Sequence, residues 1–152
     1  MIGARCPELG ARAFRCNVRD MQRPLLPEDR IDAAIRDVIA SNHRDIIDEV
    51  EGAIKANDVV VVGMRQNPHP RRARKALAAA GIEFKYLEYG SYFSTWRRRT
   101  ALKIWTGWAT FPMVFVKGVL VGGADDVQKL LDSGELVRRL GKSGNAEALR
   151  PA

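Results

Sequence analysis

The sequence predicts an α/β domain with a four-stranded mixed β-sheet flanked by helices. Three observations carry this prediction. Residues 59–62 are four consecutive valines, which is typical of a strand buried on both faces. An apolar stripe at helical spacing follows and leads into the alternating stretch 83–88, so strand, helix and strand succeed one another. Further along, Lys117-Gly118 separates two short apolar runs and indicates a β-hairpin.

An amphipathic pattern precedes the first predicted strand. Apolar residues recur at helical spacing over residues 31–39 and again over residues 46–54. Ser41 and Asn42 lie between the two stretches, so the pattern fits one long helix or two consecutive ones ending near Asn57. We expect this helical extension, residues 29–57, to pack on the sheet, to extend a dimer surface, or to do both.

The remaining elements follow in order. After the valine strand, helix is predicted from Pro70 up to the stop signal at Gly81, with the next strand at 83–88. A third helix is expected at about 93–105, the hairpin strands at 112–116 and 119–121, and two short helices at 125–131 and 135–140. A β-α-β unit followed by a β-hairpin and a helix is the thioredoxin-type arrangement, which places the domain at residues 58–140.

The two ends of the chain are predicted to be unstructured. We expect a flexible arm at residues 1–28 and a disordered tail at 141–152. The arm holds both cysteines, Cys6 and Cys16, whose spacing fits no zinc motif; a disulfide between them remains open. The first 20 residues, rich in Arg, also fit a targeting peptide or sequence upstream of a true start at Met21. With nothing else indicating an oxidising compartment, the cytoplasm is the default location.

Charge and hydropathy narrow the classes of partner. The chain of 152 residues has 25 Lys and Arg against 18 Asp and Glu, a net charge of +7. This excess favours anionic partners, although solubility alone also explains it. No apolar run approaches the roughly 20 residues of a membrane helix, so no membrane partner is expected. The pI of about 9.8 permits nucleic-acid binding, but no recognised motif supports it, and it ranks lowest among the binding modes.

The segment Asn67-Pro68-His69-Pro70 stands where the valine strand gives way to a helix. Asparagine is a favoured N-cap residue, because its side chain accepts a hydrogen bond from an N–H two or three residues on. Pro68 would then occupy N1, and Pro70 would occupy N3, where the N–H has no intrahelical partner. The segment therefore predicts a strong helix start whose dipole can help to bind an anion.

Two further motifs accompany this junction. Residues 108–112 (WATFP) lead into a strand, and residues 122–126 (GGADD) lead into a helix. With the β-α-β unit before them, the segment TGWATFPMVFVKGVLVGGADDV resembles the glutaredoxin family, and the resemblance covers residues 46–140. It implies a thioredoxin-like fold and a groove for glutathione.

The resemblance also implies roles for particular residues. Pro112 would follow a cis peptide bond, and the backbone of Phe111 would pair in a β-like manner with the cysteine portion of glutathione. Ala124 and Asp125 would hold the γ-glutamyl end. Independently of the family, N–H groups at a helix start hold carboxylates and Asp125 can pair with an ammonium group, while an N-cap alone is the alternative. An edge strand that merely starts at Pro112 is the alternative for that residue.

The glycyl end of glutathione would meet a basic side chain. The resemblance makes Arg99 the candidate, by its position in R-x-x-L-K, with Arg97 and Arg98 as near alternatives. A solvated basic helix face without a ligand is the other alternative. The lysine that the family places three residues before its catalytic cysteine is Met64 here. The adjacent Arg65 could compensate for that lysine.

The largest departure from the family lies at the catalytic turn. Where glutaredoxins have C-P-Y-C or C-G-F-S, Asn67 falls on the nucleophilic cysteine and Pro70 on the resolving position. Thiol–disulfide exchange needs a thiolate, and a [2Fe–2S] cluster of the monothiol type would lose its protein thiolate. His69 is expected to be an exposed ring beside the groove, and no metal is expected.

These observations favour a redox-inactive, glutaredoxin-like pseudoenzyme that binds glutathione or another small anionic ligand. The alternative is a protein-interaction module that uses the basic and aromatic surface of residues 89–108, with a homodimer also open. A further alternative is a glutathione-dependent thiol–disulfide oxidoreductase that borrows Cys6, Cys16 or another chain's thiol, or an iron–sulfur role as in the wider family.

Overall fold

A computed structural model of the protein describes residues 23–91 and 93–141. Of the expected flexible arm, 1–28, the first 22 residues lie outside the described part of the chain. Both cysteines are among those 22 residues. The expected disordered tail lies outside the described part from residue 142 on. Both expectations therefore remain predictions. Residues 23–27 are exposed and have no regular secondary structure.

The tertiary contacts divide the chain after Asp37 into an N-terminal unit and a larger unit. In the described part of the N-terminal unit, residues 23–37, one turn of 3-10 helix covers Glu28–Arg30. Asp32 then accepts a hydrogen bond from the N–H of Ala34 at 2.8 Å, as an N-cap side chain does. Helix α1 begins at this point and spans Ala33–Ser41, with no buried side chain.

The helical extension consists of two helices, which is one of the two alternatives predicted. Helix α2 spans Arg44–Ala56, and His43 before it is in the left-handed region at φ 49°. A break in helical backbone at that residue explains why the apolar period is interrupted there. Ile46 and Val50 of α2 are fully buried against Val60 and Val62, so α2 packs on the sheet as expected.

The sheet has four strands in the order β2-β1-β3-β4. Strand β1 pairs with β2 in parallel and with β3 antiparallel, and β3 and β4 form the predicted hairpin. Lys117 and Gly118 both have positive φ, 50° and 80°, as a two-residue type I′ turn requires. The strands and remaining helices are β1 (Val59–Gly63), α3 (Pro68–Ala79), β2 (Lys85–Glu88), α4 (Trp96–Thr106), β3 (Met113–Val116), β4 (Val119–Gly122), α5 (Ala124–Asp132) and α6 (Glu135–Arg139).

Helices cover both faces of the sheet, which is why β1 is buried throughout. Helices α2 and α4 cover the face of Val60 and Val62, while α3, α5 and α6 cover the face of Val59 and Val61. This is the mixed α/β, thioredoxin-like architecture predicted from the sequence. The carboxyl end of β1, the start of β3 and the starts of α3 and α5 all lie at one end of the strands. The candidate site lies at that end of the sheet.

One helix begins later than predicted. The expected start was near residue 93, but α4 begins at Trp96, and Thr95 before it is left-handed at φ 54°. Ser91 and Ser94 form a turn instead, since the Ser94 N–H bonds the Ser91 carbonyl at 3.2 Å. The Ser94 hydroxyl in turn accepts from the Ser91 N–H at 3.0 Å. Such serine side-chain bonds offer the backbone an alternative to the helix.

Candidate functional site

The start of α3 forms as the sequence predicts. Asn67 is the N-cap, and its side-chain oxygen accepts from the His69 N–H at 2.9 Å. Pro68 and Pro70 at N1 and N3 carry no N–H. Positions N1 to N3 of α3 therefore leave no backbone N–H free for a ligand. The helix dipole expected to favour an anion remains, but it acts here without the donors that normally accompany it.

The second proline of this turn faces the sheet. Pro70 is buried, and a Cβ built on Gly63 would lie 2.8 Å from the Pro70 Cβ and 3.0 Å from the Tyr86 ring. No real Cβ comes that close, so the glycine at the end of β1 is required for this contact. The position of the family's resolving cysteine is thus filled by a ring that packs against β1 and β2.

A groove of about 240 Å³ lies beside this turn, between the segment that precedes β3 and the start of α5. It brings together four of the residues predicted to bind a ligand: Phe111, Pro112, Ala124 and Asp125. The Phe111–Pro112 peptide bond is cis, as the family resemblance implied. The other lining residues are His69, Trp108, Thr110, Gly123 and Asp126. His69 is exposed, as expected for a ring beside the groove.

The start of α5 keeps backbone donors that the start of α3 lacks. Asp126 accepts from the Gly123 N–H at 3.0 Å, which fixes the entry into the helix. The N–H groups of Ala124 and Asp125 occupy the first two helical positions, where no intrahelical acceptor exists. A capping bond and available donors thus coexist at this helix start. The Asp125 carboxylate is paired with the Arg72 guanidinium from α3.

A second cleft of about 380 Å³ lies on the other side of Asn67. It includes Arg65 and Asn67 from the predicted ligand set, and its other lining residues are Met64, Gln66, Pro68, Arg71, Arg74, Tyr86 and Glu88. Its three arginines outnumber the single carboxylate, Glu88, which lies 3.3 Å from the Arg65 Nε.

The aromatic floor of this second cleft is Tyr86. The Arg74 guanidinium lies 4.0 Å above its ring, within range of a cation–π contact. Burial raises the pKa of the Tyr86 phenol, and the Arg74 charge opposes that rise. The cleft is therefore basic, and its phenol stays protonated at neutral pH.

The structure does not place Arg99 with the other predicted site residues. Its side chain is buried, at 7% exposure, and lines neither cleft. Its Nη1 donates to the carbonyl oxygens of Tyr89 at 3.1 Å and Ser91 at 2.7 Å, and also to that of Ser94. The guanidinium thus holds the loop before α4. The sequence motif gives the spacing of this arginine but not the direction of its side chain.

The two alternatives to Arg99 are also placed away from the groove. Arg98 forms an ion pair of 2.6 Å with Asp45 of α2. The Arg97 guanidinium lies 5.3 Å from the Trp96 ring, on the exposed side of α4. Tyr89, at the start of the same loop, is 7% exposed, and burial is the main cause that raises the pKa of its phenol.

Several groups at the site were not predicted from the sequence. Trp108 lines the groove, and its indole Nε1 is buried with no hydrogen-bond partner among the described residues. Lys103 lies 5.7 Å from the ring of Phe111. Arg72 reaches Asp125 from 53 positions earlier in the chain. Only Trp108 carries a sequence signal, since it lies three residues before Phe111 in the WATFP motif.

The described residues contain neither a candidate metal cluster nor a membrane-spanning helix. Within 23–91 and 93–141, no three His, Cys, Asp or Glu side chains are grouped so that they could hold a metal ion. In the same part of the chain, every helix is too short or too polar to cross a bilayer.

Comparisons with known proteins agree with this geometry. The glutaredoxin family profile matches residues 59–121. A glutaredoxin-like protein of Dictyostelium discoideum is 51% identical over 108 residues, which cover 71% of this chain and 88% of that protein. The crystal structure of wheat glutaredoxin is similar at a TM-score of 0.57 and 28% identity, over 67% of this chain and 94% of that one. A buckwheat glutaredoxin–glutathione complex is similar in fold at a TM-score of 0.58 and 23% identity, over 67% and 93% of the two chains. The protein belongs to the glutaredoxin family and has its thioredoxin-like fold.

Proposed function

We propose that this protein is a redox-inactive member of the glutaredoxin family that binds glutathione or another small anionic ligand. The observation that carries the proposal is the groove that Phe111 and Pro112 line on one side and the start of α5 lines on the other. The similar buckwheat protein was solved in complex with glutathione. A groove of this construction can bind an extended peptide with a carboxylate at one end.

Redox inactivity follows from the residues at the catalytic turn. A disulfide exchange requires a thiolate that attacks sulfur. Asn67 carries an amide engaged in capping, and Pro70 carries a buried ring. The only cysteines, Cys6 and Cys16, precede the family match by more than 40 positions. We infer that the turn supplies a helix start and no nucleophile.

The γ-glutamyl end of glutathione would bind at α5. Its carboxylate would accept from the N–H groups of Ala124 and Asp125, which the helix leaves without acceptors. Its ammonium would pair with Asp125 in competition with Arg72.

The middle of the peptide would pair with the backbone of Phe111, because β3 begins only at Met113 and leaves Phe111 outside its ladder. The glycyl end would then lie towards the arginines of the second cleft. We assign the contact with its carboxylate to Arg65 and not to Arg99, because Arg99 is buried among carbonyl oxygens. Arg71 and Arg74 add positive charge there.

Titration with reduced glutathione tests ligand binding. The amide signals of Asn67, Phe111 and Asp125 would be followed by NMR in a C6S/C16S variant, so that mixed disulfides at those cysteines cannot contribute. We expect saturating shifts at Phe111 and Asp125 below millimolar glutathione. The dipeptide Cys-Gly, which lacks the γ-glutamyl group, should shift Phe111 but not Asp125. Absence of any shift below millimolar concentration would refute glutathione binding, and a titration with sulfate would then test the anion alternative.

A glutathione-dependent disulfide reduction assay tests the absence of redox chemistry. We expect the wild-type chain to show no activity above the uncatalysed rate. Activity that disappears in the C6S/C16S variant would instead favour the oxidoreductase that borrows those cysteines. Activity that survives in the variant would contradict the inference that this chain cannot exchange disulfides without a thiol.

A further inference from the structure

The outer face of α4 exposes large side chains that the fold does not use. Phe93, just before the helix, is 96% exposed, Trp96 is 58% exposed and Ile104 is 65% exposed. Trp96, Thr100 and Ile104 are spaced four residues apart and therefore share one side of the helix. We define the α4 face as Phe93, Trp96, Thr100 and Ile104 together with Arg97 and Lys103.

The opposite side of the helix already anchors α4 to the core. Ala101 and Leu102 are buried among the residues that cover Val60 and Val62, and Arg99 is buried against the preceding loop. The orientation of α4 is thus fixed without the α4 face. Aromatic and aliphatic side chains that are exposed together, and are not needed for packing, indicate a surface for association.

The stretch of chain that carries the α4 face has charges of a single sign. Between Glu88 and Asp125 the chain has no acidic residue, and its charged residues there are Arg97, Arg98, Arg99, Lys103 and Lys117. Arg98 is paired with Asp45, Arg99 is buried, and Lys117 is paired with Asp58. Among the described residues, Arg97 and Lys103 form no salt bridge and lie over the rings of Trp96 and Phe111.

We propose that the α4 face binds an acidic segment of a partner protein that carries apolar side chains. Trp and Arg are among the residues that most often anchor protein interfaces, and Phe is enriched in them. Here Phe93, Trp96 and Arg97 lie within five positions of one another. The partner's apolar groups would cover Phe93, Trp96 and Ile104, while its carboxylates would pair with Arg97 and Lys103. The inference does not depend on glutathione binding in the groove.

Two other classes of partner fit less well. Nucleic acids are bound mainly through many phosphate contacts, whereas this face offers two cations that are not already paired or buried. A helix that lies in a membrane surface inserts its most apolar side, but in α4 that side is buried in the core.

Binding of designed peptides tests this inference on the full chain. The probe is a peptide of about 16 residues with Leu at i, i+3, i+4 and i+7 spacing and Glu elsewhere, which becomes amphipathic when it folds on the protein surface. Its control replaces every Glu with Lys. The peptides contain no tryptophan, so a change in the protein's emission, to which exposed Trp96 contributes together with Trp105 and Trp108, reports their binding. We expect the acidic peptide to bind with a Kd on the order of 10 μM at low salt. The basic peptide should not bind.

Matched variants locate the binding surface, with isothermal titration calorimetry as the readout. Trp96→Ala, Ile104→Ala and Arg97→Glu should each weaken binding of the acidic peptide by about tenfold or more. Val119→Ala, which trims an exposed apolar side chain on β4, and Lys75→Glu, which reverses an exposed charge on α3, should leave it unchanged. Circular dichroism would check that each variant remains folded.

Three results would overturn the inference. These are no binding of the acidic peptide, equal binding of the basic peptide, or equal weakening by the Val119 and Lys75 controls. Single-stranded RNA and phosphatidylserine vesicles would be measured in parallel. Binding of either that depends on Trp96 and Arg97, in the absence of peptide binding, would assign the face to that class instead.

Discussion

Two helix starts border the groove, and they differ in what they can offer a ligand. At the start of α3, Pro68 and Pro70 have no N–H and the His69 N–H is taken by the Asn67 side chain. At the start of α5, only the Gly123 N–H is taken, by Asp126, and the following N–H groups have no intrahelical acceptor. Both are sound helix starts. Capping and ligand binding therefore compete for the same backbone donors at a helix start.

The competition has a chemical consequence for Asn67, the position that the family resemblance assigns to the nucleophilic thiol. A cysteine at a helix N-terminus is acidified by free N–H groups and by the dipole together. The turn at Asn67 keeps the dipole but offers no N–H donor at N1 to N3. The proposed function therefore places the anion site at α5 and gives the α3 turn a role in the stability of the helix.

Restoring sulfur at α3 should produce the largest change. Asn67→Cys, in a C6S/C16S background, removes the capping amide and frees the His69 N–H to donate to the new sulfur. We expect glutathione-dependent disulfide reduction to rise by about two orders of magnitude or more over the background protein. The rate in a coupled glutathione-disulfide assay measures this change.

Asn67→Ser is the matched control for that prediction, because it has a similar size and can cap the helix but has no sulfur. It should remain inactive. If the cysteine variant neither gained activity nor formed a mixed disulfide with glutathione, Asn67 would not be at a position that can do the family's chemistry.

Removing a backbone N–H donor at the start of α5 should produce the next largest effect. Ala124→Pro removes one N–H at N1, where proline suits a helix, and the extended backbone of Gly123 accepts a following proline. We expect glutathione affinity, measured by calorimetry, to fall about tenfold, which is about 1.4 kcal/mol. Ala124→Ser keeps the N–H and should bind as the wild type does. Equal affinity for the proline and serine variants would show that this donor makes no contact with the ligand.

The sequence alone predicted most of this fold for identifiable reasons. Four consecutive valines place apolar side chains on both faces of a strand, so they predicted a strand buried on both faces. The WATFP and GGADD motifs contain most of the residues that line the groove. The capping role of Asn67 is local, because it depends on atoms two residues apart, so the sequence was sufficient to predict it.

The features that the sequence did not predict are side-chain contacts that form only when segments far apart in the chain, or a particular loop conformation, come together. Arg99 was expected at the ligand, but the turn at Ser91 and Ser94 directs carbonyl oxygens at its guanidinium. The pairing of Arg72 with Asp125 joins two helices and has no periodic signal in the sequence. Helical spacing indicates which residues share a side of a helix, but it does not indicate which loop folds over that side.

Removing the α3 cap should affect stability and not binding. Asn67→Ala leaves the His69 N–H without its acceptor, and we expect the free energy of unfolding to fall by about 1 kcal/mol. Urea denaturation measures this loss. Asn67→Asp should retain the stability, since aspartate caps as well and adds a negative charge at the positive end of the helix. A loss of glutathione affinity in the alanine variant would contradict the division of roles between the two helix starts.

The smallest effect should come from the ion pair that joins the two helix starts. Arg72 and Asp125 are 54% and 77% exposed, so their pairing contributes less than about 1 kcal/mol to folding and is screened by salt. The direction in which glutathione affinity changes when the pair is broken shows whether Asp125 binds the ligand's ammonium group. Arg72→Ala frees Asp125 for the ligand's ammonium, so glutathione affinity should rise by about two- to fivefold at low salt. Arg71→Ala removes the same charge from the same exposed turn without freeing a carboxylate, and it should lower the affinity slightly. If both variants lowered the affinity equally, Arg72 would act as a general positive charge, and Asp125 would not be the partner of the ammonium group.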